Sequence, residues 1–170
     1  MRKKAYLAGG CFWGLEELMR KEEGVLDITA GYTGGKERMD STGLPQAPTY
    51  EFHPGHAEAL EIVYDDTQTS FKNLLDFFFR VHNPTTLNRQ GNDIGDSYRS
   101  AIFYQNDEEK KIAEDFIKIV DESKRWPERV VTTLEPFTKF WPAEEYHQDY
   151  LQKNPSGYTC HAVFFDSYLK

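Results

Sequence analysis

Apolar and polar positions along this chain follow two periods in turn. Ala5 to Ala8 is a short apolar run of strand type, and beyond Gly9-Gly10-Cys11 the residues Phe12, Leu15, Leu18 and Met19 take helical spacing until Gly24 stops it. Val25 to Tyr32 reads as a strand, Gly31 to Pro48 as a long loop rich in Gly, Pro and polar residues, and Ala57 to Tyr64 as a further strand. Ser70 has the chemistry of an N-cap for a helix whose apolar residues Phe71, Leu74, Leu75, Phe78 and Phe79 recur on one face. Asn83-Pro84 ends that helix, a polar stretch runs to Ser97, and a strand is predicted over Ser100 to Tyr104. A third helix from Asp107 to Lys124, with Ile112, Phe116, Ile119 and Val120 inward, stops at Trp126-Pro127. Val130 to Leu134 then reads as a strand, Glu144 to Gln152 as a short helix, and Asn154-Pro155-Ser156-Gly157 as a turn leading to Cys160. This alternation, without internal repeats or a Rossmann glycine fingerprint, predicts an α/β chain of the α+β kind: one open sheet layered with helices.

Composition narrows the function classes. A chain of 170 residues fits one domain, spanning 1–170, and can bury a core without staples. Its net charge of -8, with scattered Lys and Arg, excludes the basic patch of a nucleic-acid binder. No stretch reaches 18 apolar residues; the densest, Leu74 to Val81, is broken by Asp76 and Arg80, so no membrane span is expected. The start Met1-Arg2-Lys3-Lys4 is followed by an apolar part too short and glycine-broken for a signal peptide, which makes a cytoplasmic location the expectation. Two cysteines lie 149 positions apart with no zinc-type spacing, so neither a structural metal nor a cofactor is expected. A cytosolic disulfide between such residues is catalytic or sensing more often than structural.

Cys11 carries the strongest chemical signal. Lying between glycines and an aromatic pair at a predicted helix start, its sulfur would meet unpaired N–H groups and roughly half a positive charge, which lower a thiol pKa from about 8.5 to about 3.5–7.5. The plain alternative is a buried structural cysteine, since free Cys packs as a small hydrophobe. Strand parity places Glu58 with Leu60, Ile62 and Tyr64 and puts Glu61 on the opposite face, with Ala57, Ala59 and Val63. A carboxyl group that meets apolar surroundings has its pKa raised and becomes a candidate general acid; the plain alternative is a surface strand with both carboxylates in water, and parity does not choose the face. Tyr50 and Tyr98 flank polar loops and are candidate phenolic donors, each with a structural role as the alternative. His56 near the Glu58 strand and His161 beside Cys160 leave a Cys/His pairing open. A nucleophilic thiol, a protonated acid, phenols, a Phe12-Trp13 wall and a distant second cysteine fit reduction of a polar S=O group.

Six motifs in order, Gly10-Cys11-Phe12-Trp13-Gly14, Gly31-Tyr32-Thr33-Gly34-Gly35, Pro48-Thr49-Tyr50, Gly55-His56-Ala57-Glu58, Gly91-Asn92-Asp93-Ile94-Gly95 with Tyr98-Arg99-Ser100-Ala101, and Glu145-Tyr146-His147-Gln148-Asp149-Tyr150-Leu151, resemble the A-type peptide methionine sulfoxide reductases over nearly the whole chain. The resemblance implies a two-layer α/β sandwich with a ferredoxin-like core and mixed sheet, and reduction of the S epimer of methionine sulfoxide, free or in proteins. It implies Cys11 as nucleophile, Phe12 and Trp13 as the methyl-binding wall, Glu58 as acid, Tyr50 and Tyr98 as oxygen-binding phenols and Asp93 as a supporting polar residue. Cys160 then resembles the resolving cysteine on a mobile C-terminal segment, about 153–170, with thioredoxin or a similar dithiol as reductant and a monomer as the working unit. Many relatives have a longer tail with a further recycling cysteine, so a single disulfide is expected to suffice here. The connection from Gly35 to Pro48 is longer than the family's, Ala47 stands where Asn is usual, and Tyr50 to Glu58 is shorter, so the aim of Tyr50 is the least determined by the resemblance. The rival readings are a thiol peroxidase or Cys/His hydrolase, and a non-enzymatic redox-sensing or methionine-sulfoxide-binding module.

Overall fold

In the computed structural model, which describes all 170 residues, the chain opens with β1 (Arg2–Gly9), α1 (Phe12–Met19) and β2 (Val25–Thr33). A small hairpin of β3 (Arg38–Met39) and β4 (Pro45–Gln46) precedes β5 (Ala57–Asp65) and α2 (Phe71–Val81). A second hairpin, β6 (Arg89–Gln90) and β7 (Asp93–Ile94), and a 3-10 turn at Asp96–Tyr98 lead into β8 (Ser100–Tyr104) and α3 (Asp107–Ser123). β9 (Thr133–Pro136), β10 (Phe140–Pro142), a 3-10 turn at Glu145–His147 and α4 (Tyr150–Lys153) complete the regular structure. None of the helices is long and apolar enough to cross a membrane.

Six strands form one mixed sheet in the order β10-β2-β5-β1-β8-β9, every neighbouring pair antiparallel except β8 with β9. Its four inner strands come from β1-α1-β2 and β5-α2-β8, interleaved as a split βαβ arrangement. Period-two alternation sorts the side chains. Ala5, Leu7, Ala30, Leu60, Ile62 and Ile102 join Leu15, Met19, Leu74, Phe78 and Phe116 of the helices in the main buried cluster. The reverse face, made of Tyr6, Ala8, Ala57, Ala59, Ala101 and Phe103, is covered by Phe137 and Phe140, with the Phe137 ring stacked 3.9 Å from that of Tyr6. Ser70 caps α2 as the sequence predicts, accepting from the Asn73 N–H at 3.1 Å, and Asn106 caps α3 in the same way, its side chain accepting from the Glu109 N–H at 2.8 Å.

Four expectations are corrected, and one strand lies outside them. The strand over Val130 to Leu134 starts instead at Thr133, because the Val130 N–H is taken by Asp121 at 2.8 Å and the Val131 N–H by the Pro84 carbonyl at 2.8 Å. The helix over Glu144 to Gln152 is broken at Asp149, whose φ of 54° no helix accommodates and whose carboxylate Arg20 grips at 2.6 Å. The loop from Gly31 is strand until Thr33 and contains the β3–β4 hairpin. Ala113 occupies a fully buried position on α3, leaving Ile112 and Ile119 only half-buried. β10 escapes the pattern because it is three residues long and ends in Pro142, which only an edge strand tolerates. Past its end, the Gln148 side-chain amide extends that edge, accepting from the Ala30 N–H at 2.8 Å and donating to the Ala30 carbonyl at 2.9 Å.

Residues 154–170 have no helix or strand, yet side chains fasten them to the body. Arg80 donates to the Phe165 carbonyl at 2.9 Å, the Tyr168 N–H donates to Asp76 at 2.7 Å, and Arg125 holds the carbonyls of Asp166 and Ser167.

Candidate active site

The ends of four strands meet at one rim of the sheet. β1 and β5 run antiparallel with Leu7 opposite Leu60, so the end of β1, which delivers Cys11, lies beside the beginning of β5, which carries Glu58. Tyr32 of β2 is paired with Glu58, and Gly9 with Ser100 of β8, directly after the turn bearing Tyr98. Gly10 makes the connection with a φ of 92°, and a side chain there would collide with Gln90.

Cys11 occupies the N-cap position of α1, as the sequence predicts, and is 5% exposed. Its side chain caps nothing; the Phe12 N–H at the helix start donates instead to Glu58 Oε1 at 3.1 Å. This placement settles the strand face in favour of Glu58, 1% exposed, whereas Glu61 emerges on the opposite side and accepts from the Tyr6 hydroxyl at 2.9 Å. Burial raises the Glu58 carboxyl to about 8; the Phe12 N–H opposes this and the nearby Asp93 adds to it. Glu58 Oε2 has no hydrogen-bond partner.

One expectation fails here. Burial first, and Glu58 second, push the Cys11 thiol far above its ordinary range, and the Trp13 N–H at the helix start only partly opposes them. A helix terminus favours an anion, but a site this dry penalises it more. The resting sulfur is therefore a neutral thiol beside a neutral carboxylic acid.

Aromatic rings wall the site. Phe12 is fully buried, and Trp13 stacks on Tyr150 with centroids 3.8 Å apart and also faces Tyr50 at 6.3 Å. Trp13 Nε1–H donates to His147 Nδ1 at 2.9 Å, and the His147 ring lies 4.4 Å from that of Tyr50. Glu144 accepts from the Tyr32 hydroxyl at 2.9 Å and from the Tyr50 N–H at 3.0 Å, fixing where the Tyr50 ring enters despite the altered loop before it. Burial, and then the Glu58 charge, raise both Tyr50 and Tyr98, keeping each phenol a proton donor. Sequence reasoning assigned no role to Glu144, His147 or Tyr150, although all three lie in or next to the motif from Glu145 to Leu151.

Opposite this wall, the β6–β7 hairpin presents Gly91 and Asp93 to Cys160. Cys160 Sγ is 3.8 Å from Asp93 Oδ2 and 3.8 Å from the Gln90 carbonyl, and both cysteines are free. Asp93 also accepts from the Tyr158 hydroxyl at 3.4 Å, and burial raises it above the usual carboxylate range. His56 packs over Gly35 with Nδ1 3.3 Å from the Pro54 carbonyl, so it serves its own loop. All eight predicted site residues gather at this rim.

Two free thiols, a protonated acid and an aromatic cage define the parts of a thiol-based redox enzyme. The family model described as peptide methionine sulfoxide reductase matches residues 3–168, and the chain belongs to that family. A peptide methionine sulfoxide reductase MsrA of Mycolicibacterium vanbaalenii is 57% identical over 159 residues, covering 94% of this chain and 89% of its own. The protein of the same name from Streptomyces coelicolor is also 57% identical, covering 94% of this chain and 88% of its own. Among solved structures, reduced Mxr1 from Saccharomyces cerevisiae superposes with a TM-score of 0.83 at 39% identity, covering 96% of this chain and 93% of that one. Mxr1 in complex with Trx2 matches at 0.59 and 28% identity, covering 96% and 91%.

Proposed function

We propose that this chain reduces the S epimer of methionine sulfoxide, free or within proteins, to methionine through Cys11, and that thioredoxin or a similar dithiol recycles it. The observation that carries the reading is the buried pair of Cys11 and Glu58, a nucleophile and an acid joined through the first N–H of α1, with burial favouring the protonated form of each. Glu58 protonates the sulfoxide oxygen, where charge builds as the S–O bond weakens, and Tyr50 and Tyr98 donate hydrogen bonds to it. The carboxylate left behind draws the thiol proton as Cys11 sulfur attacks the sulfoxide sulfur. The S–S bond so formed breaks as the hydroxyl passes from the substrate sulfur to Cys11 sulfur, so thiol plus sulfoxide become a sulfenic acid on Cys11 plus the thioether. Phe12 and Trp13 hold the substrate methyl group, a sulfur–aromatic contact contributing about 1 kcal/mol, and Asp93 supports the polar side of the site.

Cys160 then condenses with the sulfenic acid, releasing water and leaving a Cys11–Cys160 disulfide that the external dithiol opens by exchange. The segment from about 153 onward moves to bring the two sulfurs together. Mxr1 crystallised with Trx2 supports a thioredoxin as the dithiol partner. On this reading the chain works as a monomer, in the cytoplasm where dithiol reductants keep protein thiols reduced. The test is to supply each methionine sulfoxide epimer with dithiothreitol and measure methionine: turnover of the S epimer alone is expected. Turnover of peroxide or ester without any methionine would overturn the reading.

A further inference from the structure

His161 is buried, follows the second cysteine directly, and has no part in the reaction described so far. Its Nε2 lies 2.6 Å from the carbonyl oxygen of Gly9, two residues before Cys11. A carbonyl only accepts, so Nε2 must carry the ring proton and Nδ1 must present a lone pair. That lone pair faces Cys160, with Nδ1 3.9 Å from Sγ, within hydrogen-bonding range for sulfur. The ring is held in place from several sides. Side chains at Gly10 or Gly14 would run into it, and the His161 N–H donates to the Thr159 hydroxyl at 3.1 Å.

We propose that His161 is the base of the second chemical step, taking the proton from Cys160 as that sulfur attacks the Cys11 sulfenic acid. The inference rests on the reading of Cys160 given above. The Cys160 S–H bond breaks toward Nδ1 and the S–S bond forms as the S–O bond of the sulfenic acid breaks. The departing hydroxide collects the proton from Nδ1 and leaves as water. Cys160 sulfur is oxidised and Cys11 sulfur reduced, so no outside reagent is needed. The Cys160 thiol requires such help because burial raises it, and Asp93 beside it opposes its anion. Asp93 Oδ2 is the rival acceptor at 3.8 Å, but it already accepts from Tyr158 and sits on the β6–β7 hairpin. His161 adjoins Cys160 in the chain and is anchored at the Gly9 carbonyl, two residues from Cys11. Burial lowers His161 to about 4, which leaves the lone pair free throughout the physiological range but makes it a weak base, so the proton passes through Nδ1 to the departing hydroxide within the same step.

The test separates the two steps in a stopped-flow experiment without reductant, following methionine release for the first and loss of the second thiol for the second. His161→Gln keeps an N–H for the Gly9 carbonyl but offers only a non-basic amide oxygen, with no basic nitrogen in place of Nδ1. Its ratio of second-step to first-step rate is expected to fall by about 10- to 100-fold, the low end of general-base effects, with Cys11 sulfenic acid accumulating to a trapping reagent. His161→Asn, which also lacks the ring base, provides the same reading if the Gln variant folds poorly, and one equivalent of methionine released certifies an intact first site. A ratio within twofold of the native enzyme overturns the inference, as does a slowed second step in Asp93→Asn alone. Failure of the native enzyme to lose a second thiol, or Cys160→Ser losing it normally, would instead overturn the reading of Cys160.

Discussion

Cys11 sits where β1 turns into α1, its backbone fixed on both sides by regular hydrogen bonding, whereas Cys160 lies in a stretch without helix or strand that side chains of α2 and the residues after α3 tie down. A sulfur that must meet a substrate at one reproducible angle is built into the sheet rim. The sulfur proposed to approach it later is carried by chain anchored mostly by side-chain bonds, with the Phe164 N–H to the Arg80 carbonyl as a main-chain tie. The difference teaches that the two reactive positions in one enzyme are stabilised by different means, so perturbations should separate them.

Loss of the sulfur at the rigid position has the largest effect. Cys11→Ser should release no methionine even in a single turnover, measured by amino-acid analysis after quenching. Next is Glu58→Gln, expected to slow methionine release by about 10² to 10⁴. Its pH behaviour sharpens the point: the native rate should fall above about 8, where the acid is lost, and the Gln variant should lack that limb. Stability follows the same group with a definite sign. The unfolded chain releases this proton near 4.5 and the folded one near 8, so the contribution of Glu58 weakens the fold as pH rises between those values. Denaturant midpoints at pH 5 and 8 should therefore converge in Glu58→Gln.

At the second position the effects are on turnover and local order. Cys160→Ser should give one full equivalent of methionine and then stall with thioredoxin, whereas sustained cycling would show another route. Arg125→Ala removes the grip on the Asp166 and Ser167 carbonyls and the guanidinium over the Tyr168 ring, with a cost of about 1–2 kcal/mol. Amide exchange should quicken over 164–169 and stay slow in β1. Smallest of all is Glu61→Gln on the outer face of β5, which keeps an acceptor for Tyr6 and should shift stability by no more than about 0.5 kcal/mol with unchanged activity.

The same contrast explains what the sequence disclosed. Regular elements with period two or 3.6 write themselves into apolar spacing, so β5, α2, β8 and the cap at Ser70 fell where expected. Parity narrowed the acid to one of two glutamates, and the pairing of β1 with β5 chose between them. The protonation of Cys11 was not legible, because it depends on how dry the site is, which no local pattern records. Glu144 and His147 were missed for a related reason: their partners Tyr32 and Trp13 lie more than 100 residues away in sequence, and only the folded sheet rim brings them together. β10 and the anchors of the last residues are too short or too irregular to leave any periodic trace.

The amide of Gln148 has a consequence for how copies of this protein behave toward one another. By accepting the Ala30 N–H just beyond Pro142, and by sharing the Ala30 carbonyl with the Ala143 N–H, it leaves a foreign strand nothing to pair with at that point of β2. A leucine at that place would leave the Ala30 N–H open, and concentrated solutions should then scatter light on mild warming well before the core melts.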